Sequence, residues 1–121
     1  MLKNLLLVGL GGFAGSILRY SVTLLGTALS WSSWIGTFAV NSIGSLLIGI
    51  IMASCGKGSL SLLLAVGLCG GFTTFSTFSA QSLEMIQAGR YGMGAAYITG
   101  TIIICILCTW AGMTIGKQIV G

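Results

Sequence analysis

Four apolar runs, joined by short polar turns, fill almost the whole of this sequence. Each run has roughly 20 residues, the length that an α-helix needs to cross the hydrocarbon core of a bilayer. Hydrophobic residues make up 55% of the chain and charged residues only 5%, whereas about a quarter of a soluble domain is charged. The sequence therefore predicts an all-α membrane protein, with a single four-helix transmembrane domain over residues 1–121.

The few charges restrict the partners of the chain. The formal net charge is +4, with one acid, Glu84, and cations scattered along the sequence. Nucleic-acid binding needs clustered cations, so we expect no nucleic-acid partner. A secretory signal peptide is the one targeting alternative, but Arg19 interrupts the first run and no Ala-x-Ala site follows, so we expect a retained helix. The cations are Lys3, Arg19, Lys57, Arg90 and Lys117.

The polar side chains provide no catalytic set. There is no histidine and only one carboxylate, so no nucleophile has an adjacent base, and we expect the chain not to be an enzyme. The Cys105-x-x-Cys108 pair lacks the histidine or second cysteine pair that a metal or redox site needs. We expect no disulfide framework, and we expect the cysteines to pack as small residues between helices. The four cysteines are Cys55, Cys69, Cys105 and Cys108.

The first helix is predicted over residues 4–25. Gly11 and Gly15 form a Gly-x-x-x-Gly spacing, with Gly12 between them, and this spacing permits close helix packing. Arg19, toward the far end, has two interpretations: an anchor that reaches the membrane surface, or a functional cation at a water-filled mouth. A polar loop is predicted over residues 26–33, and Trp31 and Trp34 suit the membrane surface.

The second helix, predicted over residues 34–54, has one polar face. Asn41 is the most polar group on it and also has two interpretations. It could form an interhelical hydrogen bond that holds the bundle together, a common use of asparagine in membranes. Alternatively, its amide could donate a hydrogen bond to an anion. The face consists of Thr37, Asn41, Gly44, Ser45 and Ile48, at steps of three and four residues.

The third apolar run contains an interruption, which we predict to be the functional centre. Two adjacent glycines, Gly70 and Gly71, precede the β-branched Thr73 and Thr74, and all four lower helix propensity. A break in a helix frees backbone groups that lipid cannot satisfy, so it survives only inside protein or where it coordinates a ligand. We expect this helix to be broken near the bilayer centre, within residues 70–79, and to end near residue 88.

Phe75 and Phe78 follow the interruption and share one helical face. Two phenylalanines at this spacing are usually simple packing, but here hydroxyl residues flank them. The fourth helix, predicted over residues 95–120 after a turn over residues 89–94, carries a second polar stripe. One four-helix chain cannot enclose both stripes and the break, so we expect self-association. The stripe consists of Tyr97, Thr101, Cys105, Cys108 and Thr109.

These groups suit the passage of a small anion. A phenyl ring has a positive edge, and hydroxyls and an amide donate hydrogen bonds without a fixed charge. A set of weak donors lets an ion enter without being trapped. The rival is a four-helix antiporter of the small multidrug-resistance type, which needs an acid inside the membrane. The first helix has none, and Glu84 lies about a turn from the end of the third helix.

Three blocks of the sequence resemble the Fluc family of fluoride channels, and with the length and helix count the resemblance covers essentially the whole chain. The third block, with its Thr-Thr-Phe-Ser-Thr-Phe core, is highly specific. The blocks are residues 11–20 (GGFAGSILRY), residues 36–45 (GTFAVNSIGS) and residues 67–79 (GLCGGFTTFSTFS).

The resemblance implies an antiparallel, dual-topology homodimer in the cell membrane, with two fluoride pores that passively export cytoplasmic fluoride. It implies a structural sodium ion (Na+) at the dimer centre, held by the backbone carbonyls of Gly70 and Thr73. Arg19 would lie near a pore vestibule. The fluoride path would be lined by Asn41, Phe75, Phe78, Ser76, Thr77, Tyr97 and Thr101. One departure is that Cys105 and Cys108 occupy a stripe that we expect to be rich in hydroxyls.

Overall fold

The computed structural model describes residues 1–120, and their regular structure is helical throughout. Four stretches, Leu2–Ala28, Ser33–Ser54, Ser59–Gln87 and Tyr91–Val120, are long and apolar enough to cross a membrane. This confirms the predicted all-α membrane protein with four spanning helices. The last residue of the predicted domain, Gly121, lies outside the described residues.

The third of these stretches contains two helices, so the described residues form five helices, numbered α1 to α5. Helix α1 is Leu2–Ala28, α2 is Ser33–Ser54, α4 is Phe75–Gln87 and α5 is Tyr91–Val120. Helix α3 covers residues 59–72 and has three windings in succession. A short α-helical start, Ser59–Ser61, leads into a π-helical segment, Leu62–Cys69, and then into an α-helical turn, Gly70–Phe72.

Helix α5 begins at Tyr91, so the turn predicted over residues 89–94 is wrong at its far end. Gly89 alone has a positive φ there, of 77°, which suits glycine just past a helix end. The Arg90 amide donates to the Met85 carbonyl at 2.8 Å, and these contacts complete the turn by Arg90. Gly94 instead packs inside α5, where an added Cβ would lie 3.6 Å from the Met85 Cβ.

Helix α1 continues through Ala28, so the loop predicted from residue 26 is also too long. The amide of Trp31 donates to the Gly26 carbonyl at 2.8 Å, and Ser30 takes a positive φ of 60°. This closes the helix with the same hydrogen-bonding pattern that ends α4. The first loop is consequently only four residues long, Leu29 to Ser32, between α1 and α2.

Glycines let α1 and α3 pack backbone against backbone. Gly11 lies against Gly67, and Gly15 lies against Gly71, so the two helices run parallel. A Cβ added at Gly11 would lie 2.8 Å from the Gly67 Cα, too close for any side chain. The close approach expected from the Gly-x-x-x-Gly spacing is therefore present, and its partner is the helix that leads into the interruption.

Helices α2 and α5 form the second close pair. Gly112 of α5 lies against the carbonyl of Leu46, and Gly49 of α2 lies against the carbonyl of Thr109. These two helices also run parallel. The α1–α3 and α2–α5 pairs together bring α3 and α4 beside α2, so the interruption lies next to Asn41.

Candidate functional site

Two extended residues separate α3 from α4. Thr73 has φ −85° and ψ 158°, and Thr74 has φ −147° and ψ 115°, both in the extended region. The amide of Thr73 still donates to the Cys69 carbonyl at 3.0 Å, and the Thr73 hydroxyl donates to the same oxygen at 2.9 Å. The helical hydrogen-bonding pattern is therefore lost from Thr74 onward, until α4 begins at Phe75.

Asn41 binds both backbone groups of Thr74. The Thr74 amide donates to Asn41 Oδ1 at 2.7 Å, and Asn41 Nδ2 donates to the Thr74 carbonyl at 3.0 Å. This pair of bonds replaces the helical partners of Thr74, which lipid could not replace. The interhelical hydrogen bond that the sequence allowed for Asn41 is present. The amide has a second N–H, and Asn41 also lines the groove described below.

The amides of Thr74 and Thr77 donate to side chains rather than to backbone carbonyls, so two carbonyls lose their helical partners. In a continuous helix the Thr74 amide would donate to Gly70, but here it donates to Asn41. Likewise, the Thr77 amide would donate to Thr73, but it donates to the Thr74 hydroxyl at 3.2 Å, which caps α4. The carbonyls of Gly70 and Thr73 are thus among the carbonyls that lose their i+4 amides at the interruption.

Arg19 contacts the same region. Its Nε donates to the carbonyl of Gly71 at 3.1 Å, across 52 positions of sequence. The side chain is half-buried between α1 and the end of α3. Neither sequence-based interpretation of Arg19 included a bond to this carbonyl. The feature that could have indicated this bond is the position of Gly15. Gly15 lies one turn before Arg19 on the same face of α1, and it packs against Gly71.

A groove of about 480 Å³ opens beside the interruption and is walled by α2, α3, α4 and α5. Phe75 exposes 77% of its surface, while Phe78 exposes 7%. The two rings contact each other, with centroids 5.7 Å apart and planes tilted by 57°. Of the predicted site residues, those lining the groove are Asn41, Gly70, Thr73, Phe75, Phe78 and Thr101.

Thr101 provides an unpaired polar atom in this groove. The residue is 5% exposed, and its hydroxyl has no hydrogen-bond partner among the described residues. A buried hydroxyl without a partner costs free energy, roughly 1–3 kcal/mol.

Thr77 and Tyr97 do not line this groove. Thr77 lines a separate cavity of about 180 Å³, shared with Thr37 and Gln81. Tyr97 is buried, and its hydroxyl donates to Gln81 Oε1 at 2.8 Å. Its ring packs on Phe78 with centroids 5.1 Å apart. The predicted path residues are therefore divided: several line the groove, Thr77 lines the second cavity and Tyr97 lines neither.

Gln81 was missed by the sequence analysis. It is 9% exposed, it accepts from Tyr97, and its Nε2 donates to the Ser33 carbonyl at 3.2 Å. The available signal was its position three residues after Phe78, on the same face of α4. Ser76, in contrast, is exposed and its hydroxyl lies 3.3 Å from that of Thr74.

The described residues contain no cluster of three histidine, cysteine or acidic side chains that could hold a metal. All four cysteines are free thiols. Oxygen atoms of the backbone are consequently the ligands that the interruption offers to a cation.

Comparison with known proteins matches nearly the whole chain. A family model described as CrcB-like protein, Camphor Resistance (CrcB), matches residues 6–113. A Phocaeicola vulgatus protein named fluoride-specific ion channel FluC is 41% identical over 121 residues, covering 93% of this chain and 97% of the relative. Proteins of the same name from Campylobacter jejuni (41% identity, 97% of this chain, 100% of the relative) and Bacteroides fragilis (40%, 97%, 98%) are also similar.

Proposed function

The chain belongs to the CrcB-like protein family, and on that premise we propose that it is a fluoride-selective channel through which cytoplasmic fluoride leaves the cell passively. It is a multi-pass membrane protein, and relatives at about 40% identity over nearly its full length are named as fluoride-specific ion channels. The observation that carries the proposal is the groove beside the interrupted third span, which combines hydrogen-bond donors with phenyl rings.

The chemistry of the groove suits a small anion. The second N–H of Asn41 can donate to it, and the exposed ring of Phe75 presents its positive edge. No acidic residue lines the groove, so no fixed negative charge opposes anion entry. The only acid, Glu84, is exposed near the end of α4 and lies in a different cavity with Arg90. This weighs against a proton-coupled antiporter.

The carbonyls of Gly70 and Thr73 fit the proposed sodium ion. The helical amide partners of both carbonyls donate to side chains instead, and both residues line the groove. Unwound carbonyls and half-helix ends are the groups that coordinate Na⁺ in other interrupted membrane helices. Two copies of the chain would supply four such oxygens. The sodium ion would neutralise their partial negative charge and fix the geometry of the interruption.

A second copy of the chain is the proposed cover of the groove. Gly70 and Phe75 are exposed on the single chain, and the carbonyls freed at the interruption would meet lipid there. The interruption at residues 73–74 lies near the middle of the third span, which covers Ser59–Gln87. Lipid at that depth offers no hydrogen bonds, whereas an antiparallel partner would face the same polar groups.

Fluoride efflux from liposomes that contain only the purified protein tests the function. We expect efflux that follows the fluoride gradient without an added proton gradient, and we expect far slower efflux of chloride. Protein-free liposomes and liposomes tested with an imposed proton gradient are the controls. Efflux that requires the proton gradient would favour an antiporter instead, and equal rates for both anions would contradict selectivity.

A further inference from the structure

The carbonyl of Gly71 also loses its helical amide at the interruption. In a continuous helix the Phe75 amide would donate to it, but Phe75 begins α4 after the two extended residues, and no backbone hydrogen bond of the described residues joins the two. The Nε of Arg19 donates to this carbonyl instead, at 3.1 Å. Gly71 thus has a partner from α1, whereas no hydrogen bond among the described residues reaches the carbonyls of Gly70 and Thr73.

These residues have different surroundings at the end of α3. Gly71 faces α1, since a Cβ added to it would lie 2.6 Å from the Gly12 carbonyl oxygen. Gly70 and Thr73 line the groove, and a Cβ added to Gly70 would meet nothing within 4 Å. Arg19 therefore occupies a carbonyl on the α1 side. The carbonyls of Gly70 and Thr73, called here the groove-side carbonyls, remain available to another ligand.

The packing of α1 against α3 fixes where Arg19 can reach. Gly15 lies one turn before Arg19, and a Cβ added there would lie 2.7 Å from the Phe72 nitrogen. Helices in such close backbone contact cannot slide past each other without a clash. The half-buried Arg19 side chain is consequently delivered to the end of α3 by the fold itself.

No carboxylate side chain balances the positive charge of Arg19. The one acidic side chain, Glu84, lines a different cavity together with Arg90. Cationic side chains inside membrane proteins pair with backbone carbonyls where no acid is available, as Arg19 does here. Its charge also repels any second cation on the α1 side, so a metal ion at the interruption is confined to the groove-side carbonyls.

We propose that Arg19 is a positioning residue for the sodium site: its bond to the Gly71 carbonyl fixes the end of α3 and confines a cation to the groove-side carbonyls. This inference rests on the proposed function, of which the sodium site is a part. Carbonyls held at fixed spacing discriminate between ions of different radius, whereas carbonyls that can rearrange adapt to either ion. Arg19 is therefore needed for the preference for sodium over potassium, more than for the binding of a cation as such.

The test measures the melting temperature of the purified protein in sodium, potassium and N-methylglucamine chloride at equal ionic strength. The parent is compared with Arg19→Met, with Arg19→Lys and with Arg90→Met, which removes an exposed cation as the matched control. We expect the parent and Arg90→Met to melt higher in sodium than in potassium, because a bound ion stabilises the folded state. Arg19→Met should lose this difference, and Arg19→Lys, whose ammonium can still donate to the Gly71 carbonyl, should regain part of it.

The difference between sodium and potassium separates positioning from two other effects. A purely structural role of Arg19 would lower the melting temperature equally in all three salts. The loss of its positive charge acts alike on both cations, since both carry one charge. Only a change in the geometry of the carbonyls alters the preference between the two ions.

A full sodium preference in Arg19→Met, or an equal loss of it in Arg90→Met, would overturn the proposal. A high-resolution map of the parent in sodium gives a second measurement that does not depend on the folding of a variant, and a cation bound to the Gly71 carbonyl would contradict the proposal. A parent that melts alike in sodium and potassium would remove both the sodium site and the role of Arg19. A parent that prefers sodium but carries no fluoride in liposomes would instead contradict the channel function and leave the role of Arg19 intact.

Discussion

Phe75 and Phe78 differ in environment although they lie three residues apart. Phe75 projects into the groove, while Phe78 is buried against Tyr97 and Met85. Sequence reasoning treated the two rings alike, because spacing gives the face of a helix and not the depth of a side chain. Phe75 therefore isolates the role of a ring edge, whereas Phe78 combines that role with packing.

Phe75→Ile should lower fluoride efflux by about tenfold or more without loss of folding, because isoleucine keeps an apolar bulk but lacks a positive ring edge. Phe78→Ile should lower efflux and also destabilise the protein, since it opens space beside Tyr97. The measurements are efflux from liposomes and size-exclusion elution after heating. Phe13→Ile, at an exposed site on α1, is the control. An intact Phe75→Ile protein that conducts like the parent would show that the ring is ordinary packing.

Asn41→Asp should suppress efflux and weaken the fold. The carboxylate can still accept from the Thr74 amide, but it cannot donate to the Thr74 carbonyl, and its charge would oppose an anion in the groove. We expect a cost of roughly 1–3 kcal/mol in stability from the unpaired carbonyl. Asn4→Asp, at an exposed position, is the matched control. Efflux and heat resistance equal to the parent would contradict both roles of Asn41.

At the scale of the helices, α1 acts as the support of the interrupted span. Gly15 lies against Leu68, Gly71 and Phe72, and Arg19 donates to the Gly71 carbonyl one turn further. The end of α3 is therefore held by α1 on one side and, through Asn41, by α2 on the other. An interruption held from two sides keeps its carbonyls in fixed positions.

Gly15→Ala should destabilise the protein by about 1–3 kcal/mol, because the new methyl group would overlap the backbone of α3, with the Phe72 nitrogen only 2.7 Å away. Gly9→Ala is the matched control on the same helix, since an added Cβ there meets nothing within 4 Å. Retention of monodisperse protein after heating in detergent is the measurement. Equal heat resistance of the two variants would mean that contact with α3 does not require glycine at position 15, because helix propensity alone favours alanine at both sites.

For the whole molecule, membrane orientation depends on a small set of charges. With four spans, Lys3, Lys57 and Lys117 share one side, and Arg90 lies on the other. By its position near the far end of α1, Arg19 would count on the same side as Arg90, but its bond to Gly71 takes it away from the surface. Without Arg19, the excess of positive charges on the side with the three lysines rises from one to two. An excess of two is still a weak bias for fixing a single orientation.

We expect both orientations to be populated, as an antiparallel dimer requires. Single cysteines placed at the termini of a cysteine-free variant, labelled in intact cells with a membrane-impermeant maleimide, report the side on which the termini lie. Partial labelling that becomes complete after lysis is the expected result. Labelling that is strictly all or none in intact cells would contradict dual topology and favour a parallel assembly.

Sodium should stabilise the assembled protein. If the carbonyls of Gly70 and Thr73 bind Na⁺ at the dimer centre, the apparent melting temperature rises with sodium concentration, because the ion binds only the folded state. Melting in sodium, potassium and N-methylglucamine chloride at equal ionic strength separates a specific site from screening. Identical melting temperatures in all three salts, or a high-resolution map with no ion at the interruption, would remove the sodium site.

The sequence by itself determined the class of this protein and its family. Apolar runs of membrane-spanning length depend only on local composition, and they predicted the four spans that the structure contains. The Thr-Thr-Phe-Ser-Thr-Phe block predicted the family, which the comparisons confirm. Local signals erred mainly at helix ends, where the glycine-rich stretch from Gly89 to Gly94 predicted a longer turn than the one closed at Arg90.

Only the tertiary structure decided which groups meet. The bonds of Asn41 to Thr74 and of Arg19 to Gly71 join positions 33 and 52 residues apart, and no local pattern encodes such distances. The bond of Asn41 to Thr74 also leaves the Gly70 carbonyl without its helical partner, a result of competition for amides within the folded chain. The burial of Gln81 likewise depends on how α2, α4 and α5 pack.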